Sequence, residues 1–104
     1  MRTFAILSGA VVLLALSGCA AKQSGLVVKT DDWDDTLRIG EHVYHATRDT
    51  EFFGPDGERI ELRQVPSLAD PNIGVRHSPR AMVDFRASER AGHRYLERLW
   101  VRPR

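Results

Sequence analysis

From residue 26 onward, apolar and polar positions alternate in short runs, and turn-forming residues interrupt them every 8 to 12 positions. Period-two alternation with Gly, Pro and Asp punctuation is the pattern of half-buried strands joined by tight turns. It predicts a strand over residues 26–30, an acidic loop over 31–35, and a hairpin of 36–39 with 42–46 whose turn is Gly40-Glu41. A strand over 50–53 should follow, ended by Pro55-Asp56-Gly57, where Pro presets φ and Gly accepts a positive one. A short strand over 60–65 then stops at Pro66, and a weakly hydrophobic loop runs over 67–79 with Pro71, Gly74 and Pro79 as breaks.

The last third of the chain fits two periods. As strands, Ala81, Val83, Phe85 and Ala87 share one face, residues 89–92 turn the chain, and residues 95–101 return. As a helix from Ser88, residues Ala91, Tyr95, Leu96, Leu99 and Trp100 form an apolar stripe. Arg86, Arg90, Arg94, Arg98 and Arg102 recur every four residues, which suits a helix too. Gly92 in mid-helix would cost ~1 kcal/mol relative to Ala, and a final strand would close a barrel and remove exposed edges. The expected fold is therefore all-β, a single small β-barrel or β-roll, with α+β ending in a C-terminal helix as the alternative. The mature region is weakly similar to small exported β-barrel domains of bacteria. The similarity rests on Leu37-Arg38-Ile39-Gly40, Val43-Tyr44, Thr50-Glu51-Phe52-Phe53 and Asp56-Gly57, positions that make a fold and carry no site.

The first 19 residues follow another logic. Arg2 is followed by an apolar run over residues 4–16, broken only by Ser8 and Gly9, and then by Leu16-Ser17-Gly18-Cys19. This resembles a bacterial lipoprotein signal with its lipobox. The resemblance implies that Cys19 carries lipid and that the chain is cut before it. The run is short of the ~20 residues needed to span a bilayer, and an ordinary secretory signal would share the h-region and small-residue cut. The expected organisation is a signal peptide over 1–18, a lipidated tether over 19–25 and a β domain over 26–104. Ala20 after the Cys, where the family's inner-membrane proteins tend to carry Asp, implies the periplasmic face of the outer membrane. Partners are then the membrane, through lipid such as palmitate on Cys19, and an envelope protein; nucleic acid is excluded by the compartment.

With its only Cys committed to lipid, the domain has no disulfide to strengthen a small core. Its charge is uneven. Residues 19–71 carry 6 Lys/Arg against 11 Asp/Glu, and residues 72–104 carry 8 Arg against 3 Asp/Glu. Pairing of the two halves within the fold is the favoured reading, and a bipolar surface that steers a charged partner is the other.

Chemistry-bearing constellations are few. His42 and His45 point to opposite faces of one strand, and His77 and His93 lie far off in sequence, so no metal site and no cofactor is expected. A periplasmic metal-binding lipoprotein is the alternative, decided by whether the four histidines converge. The acidic stretch over 31–35 misses the calcium-loop register, with Trp33 at its third position, and Trp33 is expected to pack partly against the sheet. Nucleophile elbows, phosphate loops and zinc-protease motifs are missing from the sequence. Asp49 and Glu51 could share a strand face, but the expectation is a protein without catalytic residues. Aromatic residues beside arginines have the composition of a protein interface, which selects Trp33, Phe53, Arg94, Arg98 and Trp100 as interface candidates.

Overall fold

The computed structural model describes residues 21–103. Cys19 and the residues expected to form a signal peptide lie outside the described residues. Seven strands form one sheet: β1 (Gln23–Asp31), β2 (Thr36–Ile39), β3 (His42–His45), β4 (Glu51–Phe53), β5 (Arg59–Ile60), β6 (Met82–Arg90) and β7 (His93–Val101). The order is β3-β2-β1-β6-β7-β4-β5, and a further pairing of β3 with β7 closes the first five into a barrel. The expected all-β barrel is the observed fold.

Closure depends on one long strand serving two short ones. Tyr95 of β7 pairs in parallel with His45 of β3, and further along the same edge Arg98, Leu99 and Trp100 pair in parallel with Glu51, Phe52 and Phe53 of β4. Between β3 and β4 the chain leaves the ladder through residues 46–50, and buried Thr50 compensates for the gap. Its Oγ1 donates to the carbonyl of Leu96 at 2.7 Å and accepts from the Thr47 N–H at 2.8 Å. Buried polar groups persist only when paired in this way.

Inward positions supply the core: Val27, Leu37, Ile39, Tyr44, Phe52, Val83, Phe85, Leu96, Leu99 and Val101 are all buried. Tyr44 meets Phe85 edge-on at 5.1 Å between ring centroids. Gly25 lies where β1 crosses this core most closely, since a Cβ there would stand 2.7 Å from Ile39 Cγ2. Both C-terminal strands are β, and the Ala91-Gly92 turn joining them has φ of 53° and 80°, the two positive values that a type I′ hairpin requires.

The helix-like stripe in the sequence has a specific origin. Arg86 pairs with Arg98 and Ala87 with Leu96, so Glu97 is an extra residue on β7. That bulge restarts the alternation. Leu96 and Leu99 both face in although three apart, and Tyr95 and Trp100, five apart, both stay half-exposed on the other face. Apolar spacings of three and five are what a helix would also show.

Three local expectations are corrected. Residues 23–25, read as tether, are strand: Gln23, Ser24 and Gly25 pair with Phe85, Asp84 and Val83. The strand expected over 60–65 is only Arg59–Ile60, followed by a 3-10 turn at Leu62–Gln64 that places Leu62 and Val65 in the core. The loop over 67–79 is a series of turns ending in the 3-10 segment Ser78–Ala81. It lies across β1, with the Leu68 and Ala69 N–H groups donating to Val27 and Val28 at the β1 bulge, and it buries Ile73. Among the described residues no helix is long and apolar enough to cross a membrane.

Candidate interaction face

Strand β7 positions most of the conspicuous side chains. On its outer face, beyond the bulge, Trp100 stacks on Phe53 of β4 at 6.2 Å with an interplanar angle of 15°. Parallel pairing of Phe53 with Trp100 sets this stack, and Phe52, pointing the other way, is buried. Cations surround the two rings: Lys22 Nζ is 4.6 Å from the Trp100 centroid, and the guanidinium of Arg86 lies 5.9 Å from it. Arg59 covers Phe53 at 5.9 Å. Cation–ring contacts hold the long stems against the aromatic faces while the charged heads stay in water.

Next to this stack two arginines, Arg86 and Arg98, face each other across the ladder. Like charges directly opposite repel. Arg98 is relieved by Glu51, whose Oε1 lies 2.9 Å from its Nε, and Arg59 approaches the other oxygen of Glu51 at 3.4 Å. On the far side of Trp100, Asp84 takes hydrogen bonds from Arg102 and from Ser24, the latter at 2.6 Å. These bonds, Arg102 first, hold the Asp84 carboxyl below its ordinary range and the Arg102 guanidinium above its own.

Toward the hairpin turn, a shallow concavity of about 700 Å³ opens beside the same strands, lined by Asp49, Glu51, Arg86, Arg90, Tyr95 and Glu97 among others. Asp49 and Glu51 do share this side, but Glu51 is already engaged by two arginines. Arg90 covers Tyr95 at 4.4 Å. Next to Tyr95 two histidines meet: His45 and His93 lie 5.4 Å apart between ring centroids, with Tyr95 5.5 Å from His45. The sequence did not reveal this pair, because it depends on the parallel β3–β7 pairing. His42 stands on the other face with Tyr44 and Arg94, and His77 belongs to the loop before β6. Four-way convergence does not occur. Among the described residues no group of three or more His, Cys, Asp or Glu is placed to hold a metal ion.

The five interface candidates separate into three places. Phe53, Arg98 and Trp100 form the face just described. Arg94 is half-buried near Tyr44, on the opposite side of the ladder, where its charge partly offsets the upward push that burial gives the Tyr44 hydroxyl. Trp33 does not pack on the sheet; it is 91% exposed at the turn between β1 and β2. The Asp31 carboxylate holds that turn by accepting the N–H groups of Trp33 and Asp34.

Direct ion pairing between the two charge halves is sparse among the described residues. Of the four ion pairs among the described residues, only Arg98–Glu51 joins residues 19–71 to residues 72–104. Acidic side chains gather at the Trp33 turn, whereas the β6–β7 hairpin carries Arg86, Arg90, Arg94 and Arg98 beside Asp84, Glu89 and Glu97. Comparisons with protein-family models, with curated proteins and with solved structures returned no match.

Proposed function

We propose that this protein is a membrane-anchored, non-enzymatic lipoprotein of the cell envelope, whose β-barrel binds or supports another envelope component. The observation that carries the reading is Leu16-Ser17-Gly18-Cys19 behind a short apolar run, with that Cys the only one in the chain. Two exterior features support a binding role. One is Trp33, almost fully exposed on a tight, acidic turn; the other is the Phe53–Trp100 stack ringed by cations. Large aromatic residues and arginines left at the surface are what interfaces concentrate.

The test begins at the anchor. Replacing Cys19 with Ser should abolish labelling by a fatty-acid probe and leave the precursor uncut. A Cys19→Ser protein that labels, processes and fractionates like the wild type would overturn the reading. Cross-linking the intact lipidated protein in envelopes, with a photoreactive residue at Trp33, should trap a discrete envelope protein. The second reading, a periplasmic metal-binding lipoprotein, has one observation in its favour, the His45–His93 pair.

A further inference from the structure

We propose that the face built on Phe53 and Trp100 lies against the membrane that holds the protein, with anionic phospholipid headgroups as its partner. The inference rests on the lipid-anchor reading above and adds to it which side of the barrel meets the bilayer.

Chain length is the first argument. Lys22, whose ammonium stands over the Trp100 ring, is three residues from Cys19. Three residues span at most ~10 Å of extended chain. Gln23 is already tied into the β1–β6 ladder, so the barrel cannot swing on a long tether. Lipid on Cys19 would hold the surface around Lys22 and Trp100 within about a headgroup layer of the acyl chains.

Composition is the second. Around the stack stand Lys22, Arg59, Arg86, Arg98 and Arg102 with Glu51 and Asp84, and the adjoining concavity adds Arg90 against Asp49 and Glu97, six cations to four carboxylates. Cations are therefore in excess. A planar aromatic pair flanked by long basic side chains is suited to an interface, where the rings sit at headgroup depth and the charged heads reach phosphate. Cation–ring contacts orient those heads at the rim of the aromatic surface before any lipid arrives. The opposite charge lies elsewhere: Asp31, Asp32, Asp34 and Asp35 surround Trp33 at the other end of β1 from Lys22. An anionic surface attracts the first end and repels the second, which leaves Trp33 free for a protein partner.

The two tryptophans make this measurable in the intact lipidated protein. Trp33→Phe leaves Trp100 as the only indole, and Trp100→Phe leaves Trp33. Each is placed in vesicles of phosphatidylcholine, with or without phosphatidylglycerol, whose acyl chains are brominated near the headgroup. Trp100 should be quenched strongly in the phosphatidylglycerol vesicles and more than Trp33. That quenching should fall in pure phosphatidylcholine and in a Lys22→Gln, Arg59→Gln, Arg86→Gln triple variant. If the protein floats with the vesicles but Trp100 is quenched no more than Trp33, the face is misassigned while the anchor stands; if Trp100 is quenched equally in both lipids, anionic headgroups are not its partner and the proposal is overturned. If the protein fails to float, the anchor reading falls and this inference falls with it.

Discussion

Thr50 shows how much of the barrel hangs on single groups. It is the polar residue at the place where β7 changes partner from β3 to β4, and one hydroxyl serves both the Leu96 carbonyl and the Thr47 amide. Thr50→Val keeps the shape and removes both bonds, which leaves two backbone groups unpaired beside the core. A loss of about 1–3 kcal/mol is expected, read as a lowered midpoint in urea with an unchanged slope. A Thr50→Val protein as stable as wild type would mean that the seam is wet. The sequence marked Thr50 only as the start of a strand, because its hydrogen-bond partner lies 46 residues away. Trp33 departs from the expected packing for a related reason. Hydrophobicity argues for packing, whereas the turn that Asp31 closes leaves the indole almost fully exposed.

At the scale of elements, the β6–β7 hairpin decides the fold class and carries a local conflict. Its turn needs two residues at positive φ, and Gly92 meets that need at no steric cost, but Ala91 sits at 53° with a Cβ. Asn tolerates that conformation far better, and Asn-Gly is the strongest short hairpin signal. Ala91→Asn should therefore stabilise the domain by about 0.5–1 kcal/mol, a rise of several degrees in Tm for a domain of this size. A neutral or lower Tm would show that the turn is not type I′ in solution. The Ala at this position is also why the turn was legible only as a four-residue region. The helix alternative drew its support from the Glu97 bulge, which makes strand β7 alternate with the wrong period. Only a strand's partner reveals a bulge.

At the scale of the whole molecule, closure brings together groups that no local pattern connects. His45 and His93 become neighbours through the β3–β7 pairing, whereas His42 and His77 stay apart. Among the described residues the two imidazoles have no third His, Cys or carboxylate placed with them, and zinc takes three or four protein ligands. Thermal melts titrated with increasing Zn2+, Cu2+ and Ca2+ should accordingly show no saturable stabilisation. A ligand at 100-fold excess over its Kd would add ~2.7 kcal/mol, which such melts detect with ease. A saturable rise lost in both His45→Ala and His93→Ala would promote the metal-binding reading.

The sequence by itself determined the strand-and-turn texture, the hairpin over residues 36–45, the shared face of Val83, Phe85 and Ala87, and the Leu-Ser-Gly-Cys stretch ending at Cys19; Ala81, expected on that face, belongs to the preceding 3-10 segment. All of these rest on local chemistry: side-chain alternation, glycine and proline backbone preferences, and short contiguous motifs. Tertiary structure alone decided that β3 and β4 share one edge of β7, that residues 23–25 belong to the barrel, and that Phe53 stacks on Trp100. It also decided that, among the described residues, the ion pair joining the two charge halves is Arg98–Glu51. Those outcomes depend on strand partners far apart in the chain, and on register set by a bulge and a turn. Nothing within a few residues of any one position encodes them.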